Sequence, residues 1–310
     1  MEPFRWTPDE SYIERARVGQ FMRAHGIDSY EDLVARSQAD IEWFWDAVVS
    51  QLGIEFSKPY REVLDTQGGI EWPLWFSGGE INLAHNTVDR WARESPEARA
   101  IVWEGEDGRT ETLSYRRLRE EVDAFAAGLK RLGIGKGDAV GIYMPMIPQN
   151  PIAIYACAKL GVIWLPIFSG FGAHAVASRL EDAGAVALIA ADAFPRRGKL
   201  IDMQTAAVEA SRAVPSIKHL IIYSHSGVDL VDAALDWESV REVGETLDPI
   251  PLDPEHPLFI AHTSGTTGKP KGVVHVHGGF LVKIAQEVAH QVDLHPEELL
   301  FWVTDMGWIM

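Results

Sequence analysis

The residues best suited to chemistry in this chain form one run, Thr263-Ser264-Gly265-Thr266-Thr267-Gly268-Lys269-Pro270-Lys271-Gly272. The glycines let backbone N–H groups converge in conformations that a Cβ would forbid, and the hydroxyl side chains add further donors. Lys269 and Lys271 add positive charge to a chain whose formal net charge is -17. This combination predicts a loop that binds a polyphosphate. The alternative interpretation is a flexible surface hairpin.

The segments on both sides of the run indicate β-structure. Residues 258–261 form a short apolar stretch, and residues 273–277 are β-branched and alternating, so the loop leaves one strand and enters another. A Walker loop has Ser or Thr after its lysine and then a helix, whereas Pro270 follows Lys269 here. A P-loop NTPase or kinase is therefore disfavoured, and so is a dinucleotide-binding fingerprint.

Composition limits the class of protein. With 310 residues, of which 46% are hydrophobic, the chain is long enough for two domains or one large one. Its negative charge argues against nucleic acid or an anionic membrane surface as a partner. Cys157 is the only cysteine, and its apolar neighbours predict a buried helix position. The chain has no long apolar run and no signal-like start, so we expect a cytoplasmic protein.

The first 80 residues read as helices followed by irregular chain. The sequence Thr7-Pro8-Asp9-Glu10 predicts a capped helix that ends before Gly26. Residues 29–32 and 37–40 predict the starts of two more helices, the second ending before Gly53. Residues 55–82 contain scattered Gly and Pro, which predicts an irregular segment.

From residue 81 onward, strands and helices alternate. Apolar runs predict strands at 100–103, 139–144, 162–165, 186–189 and 219–223, and helical patterns predict helices at 114–132, 148–160, 173–183 and 203–214. Single helices between strands indicate βαβ units with a parallel sheet. The predicted class is α/β, with helices packed on mostly parallel sheets.

The ten-residue run closely resembles the phosphate-binding signature of the AMP-forming acyl-CoA synthetases, and the chain as a whole is similar to their acetyl-CoA synthetase branch. Residues 278–281, 168–172 and 305–308 match further motifs of that branch. The resemblance implies a helical N-terminal extension over residues 1–80 and an adenylation domain over residues 81–310. It also implies that this large domain is partial, truncated at its C-terminal end.

The resemblance implies three binding sites. The ATP phosphates would be bound by Thr263, Ser264, Gly265, Thr266, Thr267, Gly268, Lys269 and Lys271. CoA would be contacted by Arg196, Arg197, Gly198, Lys199 and Met310. Trp308 and Ile309 would line the acyl pocket. The alternatives are a solvated turn at residues 196–199 and a core position for Trp308. The implied cofactors are ATP with Mg²⁺, and CoA as co-substrate.

Two departures from the family pattern limit the functional prediction. Met310 lies where acetyl-CoA synthetases usually have threonine, so propionate, acetoacetate or another short acid is as open as acetate. Family members also continue for about as many residues again. The adenine-binding segment, the hinge and the adenylation lysine are expected in that second half, so no catalytic residue is assigned here.

The functional hypothesis is an acid–CoA ligase that forms AMP. The alternatives are a non-catalytic nucleotide-binding fragment of such an enzyme, or a P-loop kinase that would release ADP. The expected partners are small molecules, with no nucleic acid and no membrane, and the oligomeric state is open. His262, His275 and His277 suggest a metal site, but no cysteine or spaced carboxylate completes a ligand set, so no metal site is predicted.

Overall fold

A computed structural model describes residues 7–263 and 270–307. The chain forms two compact units, Met1–Gly79 with Gly278–Trp302, and Glu80–His277 with Val303–Met310. The domain boundary placed between residues 80 and 81 stays a prediction. Among the helices of these described ranges, none is both long enough and apolar enough to cross a bilayer.

The N-terminal unit begins with four helices. They are α1 (Glu10–Arg15), α2 (Arg17–Ala24), α3 (Tyr30–Ala39) and α4 (Ile41–Leu52). The single helix predicted up to Gly26 is interrupted, because the ψ of 130° at Ala16 leaves the helical region. Asp9, rather than Thr7, caps α1, since its carboxylate accepts the backbone N–H of Tyr12 at 2.8 Å.

The next two helix starts were predicted within a few residues. Ser29 caps α3 by accepting the N–H of Asp32. Asp40 caps α4, whereas Ser37 lies inside α3 and donates to the carbonyl of Val34. The left-handed conformation of Gly53 ends α4, as predicted.

The prediction of an entirely irregular segment at 55–82 was wrong. Strands β1 (Glu62–Asp65) and β2 (Leu74–Ser77) pair antiparallel within it. Each strand has only four residues, too short for a clear alternating pattern in the sequence. Tertiary packing decides the structure, because Val63 and Phe76 are buried in the hydrophobic core of this unit.

The second unit is built on a seven-stranded sheet. Its strands and the two flanking hairpins are β3 (Arg99–Glu104), β4 (Thr110–Ser114), β5 (Ala139–Tyr143), β6 (Ile163–Pro166), β7 (Ala187–Ala191), β8 (Ala193–Arg196), β9 (Lys199–Asp202), β10 (His219–Tyr223), β11 (Leu235–Asp236), β12 (Pro257–Thr263) and β13 (Lys271–Val276). The sheet order is β11-β10-β7-β5-β6-β12-β13. All neighbouring pairs are parallel except β12–β13. The predicted α/β class with a mostly parallel sheet is confirmed.

The helices of this unit follow the predicted βαβ order. They are α5 (Arg90–Glu94), which continues a π-helical turn, α6 (Tyr115–Arg131), α7 (Gln149–Lys159), α8 (Ala173–Asp182), α9 (Gln204–Ala213) and α10 (Trp237–Val240). Cys157 is fully buried on α7, as predicted. The last α-helix, α11 (His277–Gln286), leads into a π-helical turn, and its Val282 joins the core of the N-terminal unit.

The order of the strands creates a crevice at one edge of the sheet. From β5 the chain passes through α7 to β6 on one side, and from β7 it passes through α9 to β10 on the other side. Right-handed crossovers in opposite directions place α7 and α9 on opposite faces. The connections after β5 and β7 therefore diverge, and such a crevice at the carboxyl ends of the strands is where α/β sheets bind ligands.

Candidate active site at the carboxyl edge of the sheet

The glycine-rich run connects β12 to β13. Thr263 and Lys271 form the last residue pair of this antiparallel ladder before the run. The Thr263 hydroxyl donates to the Lys271 carbonyl at 3.4 Å. Because β12 is parallel to β6, the run follows the carboxyl end of β12. Six of the predicted phosphate-binding residues lie outside the described residues: Ser264, Gly265, Thr266, Thr267, Gly268 and Lys269.

The next residue pair of the ladder, His262 and Gly272, brings β12 and β13 into close contact. Gly272 lies opposite His262, and a Cβ on Gly272 would come within 2.8 Å of the Ile260 Cγ2 methyl. The His262 side chain is 1% exposed, and its Nε2 lies 3.1 Å from the Asp182 carboxylate. The glycine therefore keeps the strands and this His–Asp pair together, a packing role beside any part in ligand binding.

Different environments surround the three histidines of this region, His262, His275 and His277. His275 stacks on Phe259 with ring centroids 4.4 Å apart, and burial lowers its pKa. His277 begins α11 rather than ending the strand, and its Nδ1 accepts the Leu83 N–H at 3.2 Å. Burial, with a smaller effect of His256, lowers the pKa of His277 to about 3. Within the described part of the chain, no three His, Cys, Asp or Glu side chains are placed to hold a metal ion.

The predicted arginine-rich turn is a β-hairpin formed by β8 and β9, here called the arginine hairpin (residues 193–202). Arg196 and Lys199 are paired directly across it, and the turn residues Arg197 and Gly198 have φ values of 52° and 71°. Like charges directly opposite each other on a hairpin repel. Among the described residues, no carboxylate forms an ion pair with any of these three basic side chains. The Glu106 carboxylate lies at this turn, where it accepts the Arg197 backbone N–H at 2.7 Å, and a bound anion would relieve the repulsion further.

A cavity of about 520 Å³ lies beside this hairpin at the carboxyl edge of the sheet. The segments after β5, β6, β7 and β10 contribute to its wall, together with the β3–β4 turn and residues 303–305. Aromatic and apolar side chains dominate the wall, including Trp103, Phe168 and Phe194. Arg196 supplies positive charge, and the wall also contains three carboxylates, those of Glu104, Glu106 and Asp305. The predicted CoA residues Arg197, Gly198 and Lys199 belong to the same hairpin but do not line the cavity. Aromatic faces beside a guanidinium suit a base with attached phosphates.

Polar contacts hold two residues of the cavity wall, Trp103 and His225, in place. The Trp103 indole N–H donates to the Met146 carbonyl at 2.6 Å. His225 lies 2.9 Å from the Arg109 guanidinium, measured from its Nε2. Burial, and then the positive charge of Arg109, lowers the pKa of His225. This histidine therefore presents a neutral imidazole near pH 7.

Residues 303–307 are held against the carboxyl end of β6. The Ser169 hydroxyl donates to the Asp305 carboxylate, which also accepts the Gly307 N–H at 2.8 Å. A Cβ on Gly307 would be 2.1 Å from the Phe168 backbone nitrogen, so only glycine allows this approach. The next three residues, Trp308, Ile309 and Met310, carry the predicted acyl-pocket and CoA contacts and lie outside the described residues.

The sequence did not identify Trp103, Ser169 and His225 as parts of this site. Ser169 and His225 follow predicted strands at their carboxyl ends, and that position was the signal that could have found them. Trp103 gave no such signal, because it lies near the end of β3, in the separate β3–β4 hairpin.

Comparison with known proteins places the chain in a family. The family described as "AMP-binding enzyme" matches residues 88–310, and the one described as "Acetyl-coenzyme A synthetase N-terminus" matches residues 30–87. The chain is 39% identical to the acetyl-coenzyme A synthetase of Methanothrix soehngenii and 37% identical to that of Cupriavidus pinatubonensis. Each match covers 98% of this chain and 46% of the relative.

A solved structure agrees with these matches. The acetoacetyl-CoA synthetase from Streptomyces lividans superposes with a TM-score of 0.92 at 32% sequence identity, over 98% of this chain and 48% of that protein. The chain thus spans about half the length of the curated relatives it matches. The predicted resemblance to the acetyl-CoA synthetase branch is confirmed, and the chain belongs to the AMP-binding enzyme family.

Proposed function

We propose that this chain is part of an AMP-forming acid–CoA ligase. In the proposed reaction, a carboxylate oxygen of a short acid attacks the α-phosphorus of ATP and releases pyrophosphate. The CoA thiol then attacks the acyl carbon and releases AMP. The observation that carries the proposal is the lysine-bearing glycine-rich run, which follows the carboxyl end of β12 in a chain of the AMP-binding enzyme family.

The phosphate site is proposed at the run from Thr263 to Lys271. Its backbone N–H groups, its hydroxyls and its two lysines would bind the β- and γ-phosphates of ATP, and Mg²⁺ would arrive with ATP as part of that substrate. The contribution of this chain is then positioning and electrostatic, because the in-line attack needs fixed charges more than covalent help. The ladder that joins Thr263 to Lys271 supports this proposal, since it holds both ends of the run together.

The CoA site is proposed at the arginine hairpin and its cavity, with Met310 as a further contact. The support is twofold: Arg196 lines the cavity, and the hairpin carries three basic side chains at a turn that the Glu106 carboxylate contacts through the Arg197 backbone N–H. Phosphate groups of CoA would add negative charge beside those side chains. The neighbouring aromatic side chains would pack against its base.

The acyl pocket is proposed at Trp308 and Ile309, which directly follow the Asp305–Gly307 turn. The relatives described above are named for acetyl-CoA and acetoacetyl-CoA, which favours a short-chain carboxylate such as acetate. All proposed partners are small molecules. A cytoplasmic location remains part of this proposal.

The test is acid-dependent exchange of labelled pyrophosphate into ATP, measured in the intact protein that contains this chain across acetate, propionate and acetoacetate. The ligase hypothesis expects exchange with at least one short acid, and AMP rather than ADP once CoA is added. Binding of ATP without exchange for any acid would instead favour the non-catalytic nucleotide-binding alternative. ADP as product would point to a kinase.

A further inference from the structure

Asp192 is a fully buried carboxylate that does not itself line the cavity. It follows β7 at the carboxyl edge of the sheet and precedes the arginine hairpin. Its carboxylate accepts backbone N–H groups from Ala193 at 2.6 Å, His225 at 2.9 Å, Ser226 at 3.0 Å and Val228 at 3.0 Å. It therefore joins the start of the hairpin to the loop after β10.

The backbone of Asp192 makes a second set of connections. Its N–H donates to the Tyr223 carbonyl at 3.0 Å, and its carbonyl accepts the N–H groups of Met203 at 3.0 Å and Gln204 at 2.9 Å. Met203 directly follows β9, so Asp192 contacts the chain on both sides of the hairpin. One residue thus connects the hairpin, the loop after β10 and the start of α9.

The chemistry of these contacts explains why the residue is an aspartate. A buried carboxylate is an acceptor only, and it is stable in the interior when donors occupy its oxygens. Backbone N–H groups supply those donors here, and in the described part of the chain no cation forms an ion pair with Asp192. An asparagine of the same size would turn an NH₂ group toward backbone N–H donors, so part of the set would be broken.

We propose that Asp192 is the positioning residue of the CoA cavity. By binding both loops, it holds Arg196 of the hairpin and His225 of the loop in the wall of the same cavity. The inference rests on the proposed function for the identity of the ligand. It adds a residue that acts on CoA binding without touching CoA.

The test compares Asp192→Asn with Asp253→Asn in the intact protein. Asp253 precedes β12 at the opposite edge of the sheet, is exposed, and accepts the Glu255 N–H at 2.9 Å, so it also bonds a backbone amide but lies outside the proposed CoA site. For Asp192→Asn we expect the KM for CoA in thioester formation to rise about tenfold or more, the effect of losing a charge-assisted hydrogen bond. Pyrophosphate exchange, which needs no CoA, should change by less than about twofold. Asp253→Asn should leave both constants near those of the unmodified protein.

Amide hydrogen exchange provides a readout that does not depend on activity. In Asp192→Asn, the N–H groups of Ala193, Ser226 and Val228 should exchange more than about tenfold faster, while β5 and β7 stay protected. An unchanged KM for CoA together with unchanged amide exchange would overturn the proposal. Equal loss of pyrophosphate exchange and thioester formation in a folded variant would also overturn it, because the role would not be confined to CoA.

A milder variant covers the case in which Asp192→Asn does not fold. The Ser226 hydroxyl donates to the Ala193 carbonyl at 2.9 Å, a second link between the same two loops. Ser226→Ala should raise the KM for CoA by a smaller factor, about twofold to fivefold for one neutral hydrogen bond, and no change would count against the proposal. If the unmodified protein shows no pyrophosphate exchange, the proposed function fails, whereas the amide exchange still decides whether Asp192 anchors the hairpin.

Discussion

The two hairpins that carry the candidate anion sites are stabilised differently, and they meet the carboxyl edge of the sheet in opposite ways: the arginine hairpin begins there, whereas strand β12 of the other hairpin ends there. The arginine hairpin has four-residue strands outside the seven-stranded sheet, and its base depends on the buried carboxylate of Asp192. The β12–β13 hairpin has strands of seven and six residues inside the sheet. A short hairpin cannot fix its own orientation by ladder hydrogen bonds alone, so it needs a polar anchor; a long one inherits its position from the sheet.

The difference extends to charge. Arg196 lies opposite Lys199 at the tip of the arginine hairpin, whereas Lys271 lies opposite the neutral Thr263 at the end of the longer one. The first arrangement places like charges beside a two-residue turn, where the Glu106 carboxylate accepts the Arg197 backbone N–H at 2.7 Å. The second places one lysine beside a long connection. Under the proposed function, the first site would bind CoA and the second would bind ATP.

Reversing one charge on each hairpin should separate the two ligands, and this is the largest effect we expect. Arg196→Glu should raise the KM for CoA about 100-fold, because a charge-assisted contact becomes a repulsion, while the KM for ATP in pyrophosphate exchange stays within about twofold. Lys271→Glu should do the reverse. Steady-state kinetics of both half-reactions in the intact protein provide the measurement.

Lys136→Glu is the matched control for these two variants. Lys136 is exposed and precedes β5, at the opposite edge of the sheet. Lys136→Glu changes the net charge by the same amount as the other two substitutions, so it controls for long-range electrostatic effects. If Arg196→Glu and Lys271→Glu both raised the KM for the same ligand, the division of labour between the hairpins would be wrong.

Acid should destabilise the protein partly through His277, which directly follows β13. The pKa of His277 is lowered from 6.5 to about 3, so between those values the unfolded chain binds a proton that the folded chain cannot. Folding stability should therefore fall as the pH drops below 6.5, by up to about 1.4 kcal/mol per pH unit for this residue, or about 2 kcal/mol at pH 5. Burial of His275 contributes in the same direction.

Urea unfolding at pH 7.5 and pH 5.0 checks this expectation in the unmodified protein and in His277→Asn. The asparagine oxygen can still accept the Leu83 N–H, so the variant removes the titration while keeping an acceptor. The loss of stability between the two pH values should be about 2 kcal/mol smaller in the variant. Equal losses in the two proteins would show that His277 does not titrate in this range.

Features that depend on local sequence could be predicted, whereas features that depend on contacts between distant segments could not. The strands β5 and β7 are buried at every residue and read as apolar runs, so the α/β class followed directly. The glycine-rich run was visible because its backbone requirements fix residue types locally. Asp192 could not be singled out from the sequence among 45 acidic residues. Its role depends on contacts with the loop after β10 and with the start of α9, which only the fold brings to it. The break at Ala16 was missed for a similar reason, since no Gly or Pro marks it.

Alanine at one glycine of each hairpin should show two kinds of strain. Gly272→Ala should cost about 2 kcal/mol, because its Cβ would lie 2.8 Å from the Ile260 methyl in a packed ladder. Gly198→Ala should cost about 1 kcal/mol for a different reason: φ is +71° there, although no other atom lies within 4 Å of the added Cβ. Asparagine tolerates that conformation. Gly198→Asn should therefore recover stability in urea unfolding, whereas Gly272→Asn should be worse than Gly272→Ala.

The smallest effect should come from the aspartate beside the longer hairpin. Asp182 lies 3.1 Å from His262, slightly farther than Asp192 lies from the backbone N–H groups it accepts, and its side chain is 56% exposed. Water can replace an exposed carboxylate contact, so such pairs contribute about 0–1 kcal/mol. Asp182→Asn should thus lower the free energy of unfolding by less than about 1 kcal/mol and leave the KM for ATP nearly unchanged, in contrast to the large effect of Asp192→Asn on CoA binding. A loss above about 2 kcal/mol would mean that the buried His262 ring depends on Asp182, and that the longer hairpin has a polar anchor of its own.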